Sequence, residues 1–413
     1  MKKILIIGNG FDKANGLPTQ YNEFLDFCEK AEKIYTEENL DTFNNEFKTK
    51  YLDPWGGNDC LKDLLNDAFI SKSFAISTIT TKSTSLNELF DCINGNIWYN
   101  YFKNISLNGH NWIDFETEIT KVIKKFDDLK KKKTKSKNIG YDIKILEYYT
   151  DFKPKDFVNI WKFSSNPTII PHETRTNRSA EEITIEEIDC FMDVLYKHLN
   201  KITRALEIYL SSFVSQIKPT IVQDISEQEF DYILSFNYTN TFEKHYKKSM
   251  SKDAQICYIH GKADSLASVD TCNLVLGIDE YLKKHEKNTN LDFLAFKKFY
   301  QRIIKQTDNS YSVWLDSIHE RNKIGPSFAE DFELYIFGHS LDVTDKDILK
   351  DFILNDNVQT KIYYYQKKAN DKSNFSSKIS NLIKIIKQKE LISRTSGGSK
   401  NTINFILQKP THS

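Results

Sequence analysis

Short apolar runs rich in β-branched residues, each closed by glycine or a polar turn, are separated along this chain by long stretches with hydrophobic positions three and four apart. The first run, Ile4 to Ile7, is continuous, as expected of a strand buried on both faces of a parallel sheet, and Gly8-Asn9-Gly10 follows at once. Similar runs recur at Tyr232 to Phe236, Ile256 to Ile259, Leu274 to Gly277, Leu334 to Gly338 and Lys361 to Tyr365. Each predicts a short strand ending in a turn.

Residues 25 to 225 carry a helical pattern instead. Thr184 and Glu187 stand at capping-box spacing, and Ile188, Phe191, Met192, Leu195, Leu199, Ile202, Leu206, Tyr209, Leu210 and Phe213 then follow at helical intervals. That predicts a long amphipathic helix whose apolar face packs into a core. Lysines concentrated between Lys121 and Lys137 lack interleaved aromatics, so a solvated helix end or loop is expected there and nucleic-acid binding is not. Phe163 to Ala180 reads as a loop, and the segment from Ser393 through Gly397-Gly398-Ser399 reads as a loose tail before a final apolar piece at Ile403 to Leu407.

A large insertion at one crossover costs little, because loop-closure entropy grows slowly with length. The expected fold class is therefore α/β: a Rossmann-like parallel sheet, discontinuous in sequence, with a large and mostly α-helical insertion. Residues 1–25 and 225–370 form the sheet domain in this reading, 26–224 the insertion and 371–413 a C-terminal extension. With 413 residues, 39% of them hydrophobic, there is ample material for a core. The 57 Lys and Arg balance the 57 Asp and Glu, which excludes a global field for polyanions. Six cysteines without C-x-x-C spacing argue against a structural metal, and no apolar stretch approaches the roughly 18 residues of a membrane span. A soluble, cytoplasmic protein is expected.

Candidate chemistry gathers at the turns after the apolar runs. Gly8-Asn9-Gly10-Phe11-Asp12, continuing to Gly16-Leu17-Pro18, places glycines where backbone N–H groups can approach a phosphate, or forms a plain strand-to-loop turn; Lys13 stands where a third dinucleotide-motif glycine would fall. Asn237, in Ser235-Phe236-Asn237-Tyr238-Thr239, can orient a water or a sugar hydroxyl, or close the strand as an Asx turn. His260 beside Gly261 is a candidate general base with room for a substrate, or a satisfied structural histidine. Gly338 and Ser340 repeat the pattern after the run at Leu334. On parallel strands these turns converge on the crevice where open α/β sheets bind ligands.

The order and identity of these residues resemble the sirtuin-like NAD-binding fold of bacterial defence proteins. Leu5 to Asp12, Gly16 to Tyr21 and Ser235 to Thr239 resemble the AbiH family of bacteriophage abortive-infection proteins, with Trp112-Ile113-Asp114-Phe115-Glu116 adding a further similar segment that a plain helix start explains equally. The resemblance implies NAD, or a related nucleotide, as substrate or ligand, with Asn237 and His260 catalytic and Gly8, Asn9, Gly10, Phe11, Asp12, Gly16, Pro18, Thr239, Gly338 and Ser340 around the nucleotide. It implies glycosidic hydrolysis of NAD triggered by a phage component, or alternatively a nucleotide-binding sensor without turnover, and leaves self-association open. Sirtuin deacetylases differ: their zinc-binding cysteines are absent here, Asp12 replaces their loop serine, and Thr239 replaces an acid. Protein deacetylation is not expected, and no metal is expected.

Overall fold

The structure, a computed structural model, describes residues 1–37, 83–107, 113–135, 185–279, 291–324, 332–368 and 370–409. Its centre is a six-stranded, all-parallel sheet built from β1 (Lys2–Ile7), β2 (Phe230–Ser235), β3 (Met250–Tyr258), β4 (Phe332–Phe337), β5 (Val358–Tyr364) and β6 (Ile403–Leu407), in the order β3-β2-β1-β4-β5-β6. This is a doubly wound order, and its direction reverses between β1 and β4. The Rossmann-like α/β class with a helical insertion is what the apolar runs implied. Alternation along the strands buries both faces. Ile4, Ile6, Leu234, Leu334, Ile336 and Ile362 pack into one core, while Leu5, Ile7, Ile233, Tyr335, Phe337 and Tyr363 pack into the other.

The helices are α1 (Asn9–Ala14), α2 (Tyr21–Glu37), α3 (Ser83–Ile93), α4 (Ile97–Leu107), α5 (Phe115–Lys135), α6 (Ile185–Ile208), α7 (Gln223–Ser226), α8 (Thr241–His245), α9 (Lys298–Ile304), α10 (Tyr311–Ile324), α11 (Lys346–Ile353), α12 (Ser373–Ile386) and α13 (Gln388–Arg394). Helices α2 to α6 build a third core in which Phe24, Phe27, Trp98, Phe102, Phe115, Leu195, Leu199 and Ile202 are buried. Helix α6 is the amphipathic helix that the spacing predicts. It passes at Tyr209–Phe213 into a π-helical turn, where Tyr209 donates to the Pro18 carbonyl at 2.8 Å and ties the helix end to the chain after α1. Thr184 and the loop at 163–180 lie outside the described residues, as does Cys60; Cys28, Cys92, Cys257 and Cys272 are buried. Among the described residues no helix is long and apolar enough to cross a membrane.

Two expectations need correction. Leu274 to Gly277 is not a strand of the sheet: it runs as buried irregular chain, with the Val275 N–H donating to the His260 carbonyl at 2.9 Å, and its apolar residues are buried without a ladder. A continuous apolar run reports burial, not strand pairing. Conversely, Ile403 to Leu407 is no appendage to a loose tail but the sixth strand, paired with β5 from Thr360↔Ile403 to Tyr364↔Leu407.

Candidate functional site at the carboxyl edge of the sheet

Register brings the candidate turns together. Ser235 on β2 is paired with Ile7 on β1 and Tyr258 on β3, and Ile7 is paired with Phe337 on β4, so four strand ends lie in one row. The ladder continues one step past them, through Ile259 N–H to Ser235 O at 3.1 Å, Phe236 N–H to Ile7 O at 2.9 Å and Gly8 N–H to Phe337 O at 3.3 Å. Gly8, Asn237, His260 and Gly338 therefore leave the sheet at one edge, beside the β1/β4 reversal.

Buried side chains there, Asn237, His260 and Asp12 Oδ1 among them, carry polar atoms with no hydrogen-bond partner among the described residues. The turn after β2 is closed by Ser235, whose hydroxyl accepts from the Asn237 N–H at 3.2 Å and donates to the Asn237 carbonyl at 3.1 Å. The Asn237 side chain takes no part in closing that turn. It is 5% exposed, and both its amide nitrogen and its oxygen are buried with no hydrogen-bond partner. His260, 6% exposed, likewise has a buried Nδ1 without a partner. Buried polar atoms are almost always satisfied, so unpaired ones clustered at a sheet's ligand-binding edge mark a place where a ligand or water completes the bonding.

The other nitrogen of His260, Nε2, lies 3.5 Å from Asp345 Oδ1, and His339 Nε2 lies 3.4 Å from Asp345 Oδ2. Phe236 sits edge-on to both imidazoles, with ring centroids 5.5 Å from His260 and 4.4 Å from His339. Lys298 at the start of α9 places its ammonium 3.9 Å from Asp345 Oδ1 and 2.6 Å from Glu116 on α5. Burial lowers His260 to about 4, against the pull of Asp345, so the ring is neutral at pH 7. Burial opposes charge on Asp345 as well, but Lys298 and the two imidazoles outweigh it and hold the carboxyl well below its usual range. Lys298 is held charged by Glu116, Asp345 and Asp279 against its own burial.

The glycines serve the fold more directly than the sequence suggests. A Cβ on Gly10 would meet the Gly338 carbonyl oxygen at 2.7 Å, and one on Gly8 would meet His339 Cα at 2.7 Å. The Gly10 N–H donates to Gly338 O at 2.8 Å, and the Phe11 N–H to Gly8 O at 2.8 Å. With the Gly8, Gly10 and Phe11 donors spent on the protein, a phosphate cradle built from them is not what this geometry offers; the missing side chains let α1 pack on the turn after β4. Gly261, at φ +85°, is in the same position: a Cβ would meet the Asn273 carbonyl oxygen at 2.3 Å, so the room beside His260 is filled by chain.

The remaining candidates separate. Phe11 is fully buried against Phe242, Tyr246 and Phe337, a core role. Asp12 is 1% exposed, accepts from the Thr239 hydroxyl at 2.6 Å and is pushed up to about 6 by burial, with the Thr239 and Thr241 hydrogen bonds pulling the other way. Asn9 is exposed and accepts from Thr19 at 2.5 Å, Gly16 makes an exposed turn at φ +72°, and the exposed Ser340 accepts from the Asp342 N–H at 3.3 Å. A cavity of about 490 Å³ opens next to this edge, between Leu210, Val214 and Ile217 of the insertion and Thr239, Thr241 and Lys262 of the turns after β2 and β3. Of the residues chosen from sequence, Thr239 is the one that lines it.

Sequence reasoning missed His339, Asp345 and Lys298, the partner of Glu116. His339 stands between Gly338 and Ser340, and its place directly after an apolar run is the one signal that could have found it. Asp345 and Lys298 follow no strand and no motif, so nothing local in the chain marks them. Trp112 lies outside the described residues; in the rest of that segment the helix start is what is found, with Asp114 capping α5 by accepting from the Glu116 N–H at 3.1 Å and the Thr117 hydroxyl at 2.7 Å, while Glu116 faces Lys298. Among the described residues no group of three or more His, Cys, Asp or Glu side chains is placed to hold a metal ion.

No curated protein and no solved structure matches the chain. The model of one family, described as "Bacteriophage abortive infection AbiH", matches residues 4–366. That span runs from β1 through β5 and takes in every side chain of the unpartnered and charged cluster, and on it the chain belongs to the AbiH family of bacteriophage abortive-infection proteins.

Proposed function

We propose that this AbiH protein acts in abortive infection by hydrolysing NAD at the nicotinamide glycosidic bond once infection triggers it. The observation that carries the reading is the pair of buried, unpartnered groups, the Asn237 amide and His260 Nδ1, on adjacent strand ends at the ligand-binding edge of a doubly wound sheet. An amide offers both a donor and an acceptor, and so holds a water and a ribose hydroxyl together. The neutral His260 ring takes the proton that this water loses as its oxygen bonds to the sugar carbon, and nicotinamide leaves as a neutral molecule with the bonding pair. A base held near pKa 4 is weak, which suits a bond whose cleavage runs ahead of nucleophilic attack and needs little deprotonation of water. In this reading residues 1–25 and 225–370 carry the nucleotide and the insertion at 26–224 carries the response to infection. Contact with the pyrophosphate is not assigned to the Gly8 and Gly10 donors, which are already used.

The test follows NAD and free nicotinamide in phage-infected cells producing the parent chain, Asn237→Ala or His260→Ala. NAD should fall and nicotinamide rise with the parent, while each variant should hold NAD near its uninfected level and lose protection. Protection by the parent with NAD unchanged would overturn the reading, and nucleotide binding by purified protein without nicotinamide release, even when infected-cell lysate is added, would point to a sensor.

A further inference from the structure

We infer that Asp345 is the positioning residue for His260, fixing which of the two ring nitrogens carries the proton and so presenting Nδ1 as the acceptor. The inference rests on the hydrolytic reading above for its consequence, but its geometry stands apart from it. Each oxygen of the half-buried Asp345 carboxylate faces the Nε2 of a different histidine, His260 at 3.5 Å and His339 at 3.4 Å. An ionised carboxylate only accepts, so it favours the form in which each Nε2 facing it carries hydrogen. For His339 this agrees with an independent constraint, since its Nδ1 already accepts from the Leu341 N–H at 2.9 Å. For His260 nothing else among the described residues fixes the tautomer. Its Nδ1 has no partner among the described residues, and of these Asp345 alone constrains the tautomer.

Other charges around the ring belong to the same arrangement. Lys298 and Arg302 on α9 disfavour a second proton on His260, and Lys298 also keeps Asp345 ionised with Glu116 behind it. The carboxylate thus links the end of β3, the turn after β4 and, through Lys298, helix α5 of the insertion.

Asp345→Asn gives a specific consequence. The asparagine supplies one acceptor and one donor where the aspartate supplied two acceptors. His339 cannot change, because Leu341 holds its Nδ1 as an acceptor, so the amide oxygen is taken by His339 and the amide nitrogen faces His260. His260 must then move its proton to Nδ1 and lose the free acceptor there. In a hydrolytic triad, the equivalent carboxylate-to-amide change leaves the geometry intact and lowers kcat by about 10⁴ through the wrong tautomer.

The experiment uses the full chain with ¹⁵N-labelled histidine at pH 7, His260→Gln identifying the signal. The parent should show His260 as the Nε2–H tautomer, Asp345→Asn as Nδ1–H, and Asp345→Ala, in which water replaces the carboxylate, as a mixture. A parent His260 that is already Nδ1–H, or one whose tautomer is the same in both Asp345 variants, overturns the inference. In parallel, nicotinamide release by Asp345→Asn should fall by about 10²- to 10⁴-fold in kcat with the affinity for NAD, titrated calorimetrically, within about threefold of the parent. Release within tenfold of an active parent also overturns it. If the parent releases no nicotinamide even with infected-cell lysate added as the source of the trigger, the hydrolytic reading fails alone and the tautomer measurement still decides the role of Asp345.

Discussion

At the scale of single residues, the carboxyl edge is set by atoms that have no alternative place. Asp12 on α1 is buried and hydrogen-bonded by Thr239, and burial raises its pKa from an ordinary 3.8 to about 6. The folded protein therefore holds this proton more tightly than the unfolded chain does, and unfolding free energy falls as pH rises through that window. Relative to Asp12→Asn, which cannot titrate, the parent should lose on the order of 3 kcal/mol between pH 3.5 and pH 7, as measured by urea unfolding at each pH. A constant difference between the two proteins would show that the carboxyl does not titrate there. Gly338 makes the second case. At φ +69°, with a Cβ that would collide with the Phe11 backbone nitrogen, Gly338→Ala combines backbone strain with overpacking. It should cost roughly 2–4 kcal/mol. Gly10→Val, which meets the same turn from the other side, should likewise act as a folding defect, seen as a lowered Tm without ligand.

At the scale of elements, the insertion is joined to the turns of the sheet by buried charge as well as by apolar contact. Arg204 on α6 is 1% exposed, and its guanidinium donates to Glu88 of α3 at 2.8 Å, to Glu207 at 2.7 Å and to the Asp264 carbonyl of the turn after β3 at 2.9 Å. Removing one partner of such a buried set leaves an uncompensated charge. Arg204→Met should therefore cost about 3–5 kcal/mol in denaturant unfolding, and Arg204→Met with Glu207→Met should recover part of that loss. Full retention of the loss in the double variant would mean that packing, not the stranded Glu207 charge, dominates. The same elements explain what the sequence makes legible. Helix α6 could be read because Ile188, Phe191, Leu195, Leu199 and Ile202 repeat a local period that burial enforces, and β1, β2 and β4 because both of their faces are covered. Asn237 and His260 could be placed because strand ends on a parallel sheet share one edge. Asp345 and Lys298 could not, because what matters in them is contact across the fold between residues with ordinary neighbours in sequence. The glycines were legible as close-approach positions, but the sequence does not say whether the approaching group is a ligand or the protein's own backbone.

At the scale of the whole molecule, the sheet is completed only by the last described segment. Strand β6 pairs along β5, Arg394 donates to Thr402 at 3.2 Å and to Asp356 at 2.6 Å, and the Lys409 N–H donates to Asp224 on α7 at 2.8 Å, which ties the end of β6 back across the sheet. Leu382, Ile385, Ile386, Leu391 and Ile403, all beyond residue 370, belong to the same core as Ile4, Leu334 and Ile362. Burying a large apolar side chain stabilises by about 1.5–3 kcal/mol, so five of them contribute on the order of 10 kcal/mol, comparable to the entire stability of a typical domain. A chain ending at residue 370, where the run of strands read from the sequence stops, should therefore fail to fold: it should lack a cooperative thermal transition by circular dichroism and bind a hydrophobic dye at 25 °C. The loss should reach the candidate site, because α12 also holds the turn after β4, with Lys378 donating to the His339 carbonyl and Asn381 to the Ser340 carbonyl at 3.1 Å. A truncated chain that melts cooperatively within a few degrees of the full one would mean that β1 to β5 form a self-sufficient sheet and that β6 only covers its edge.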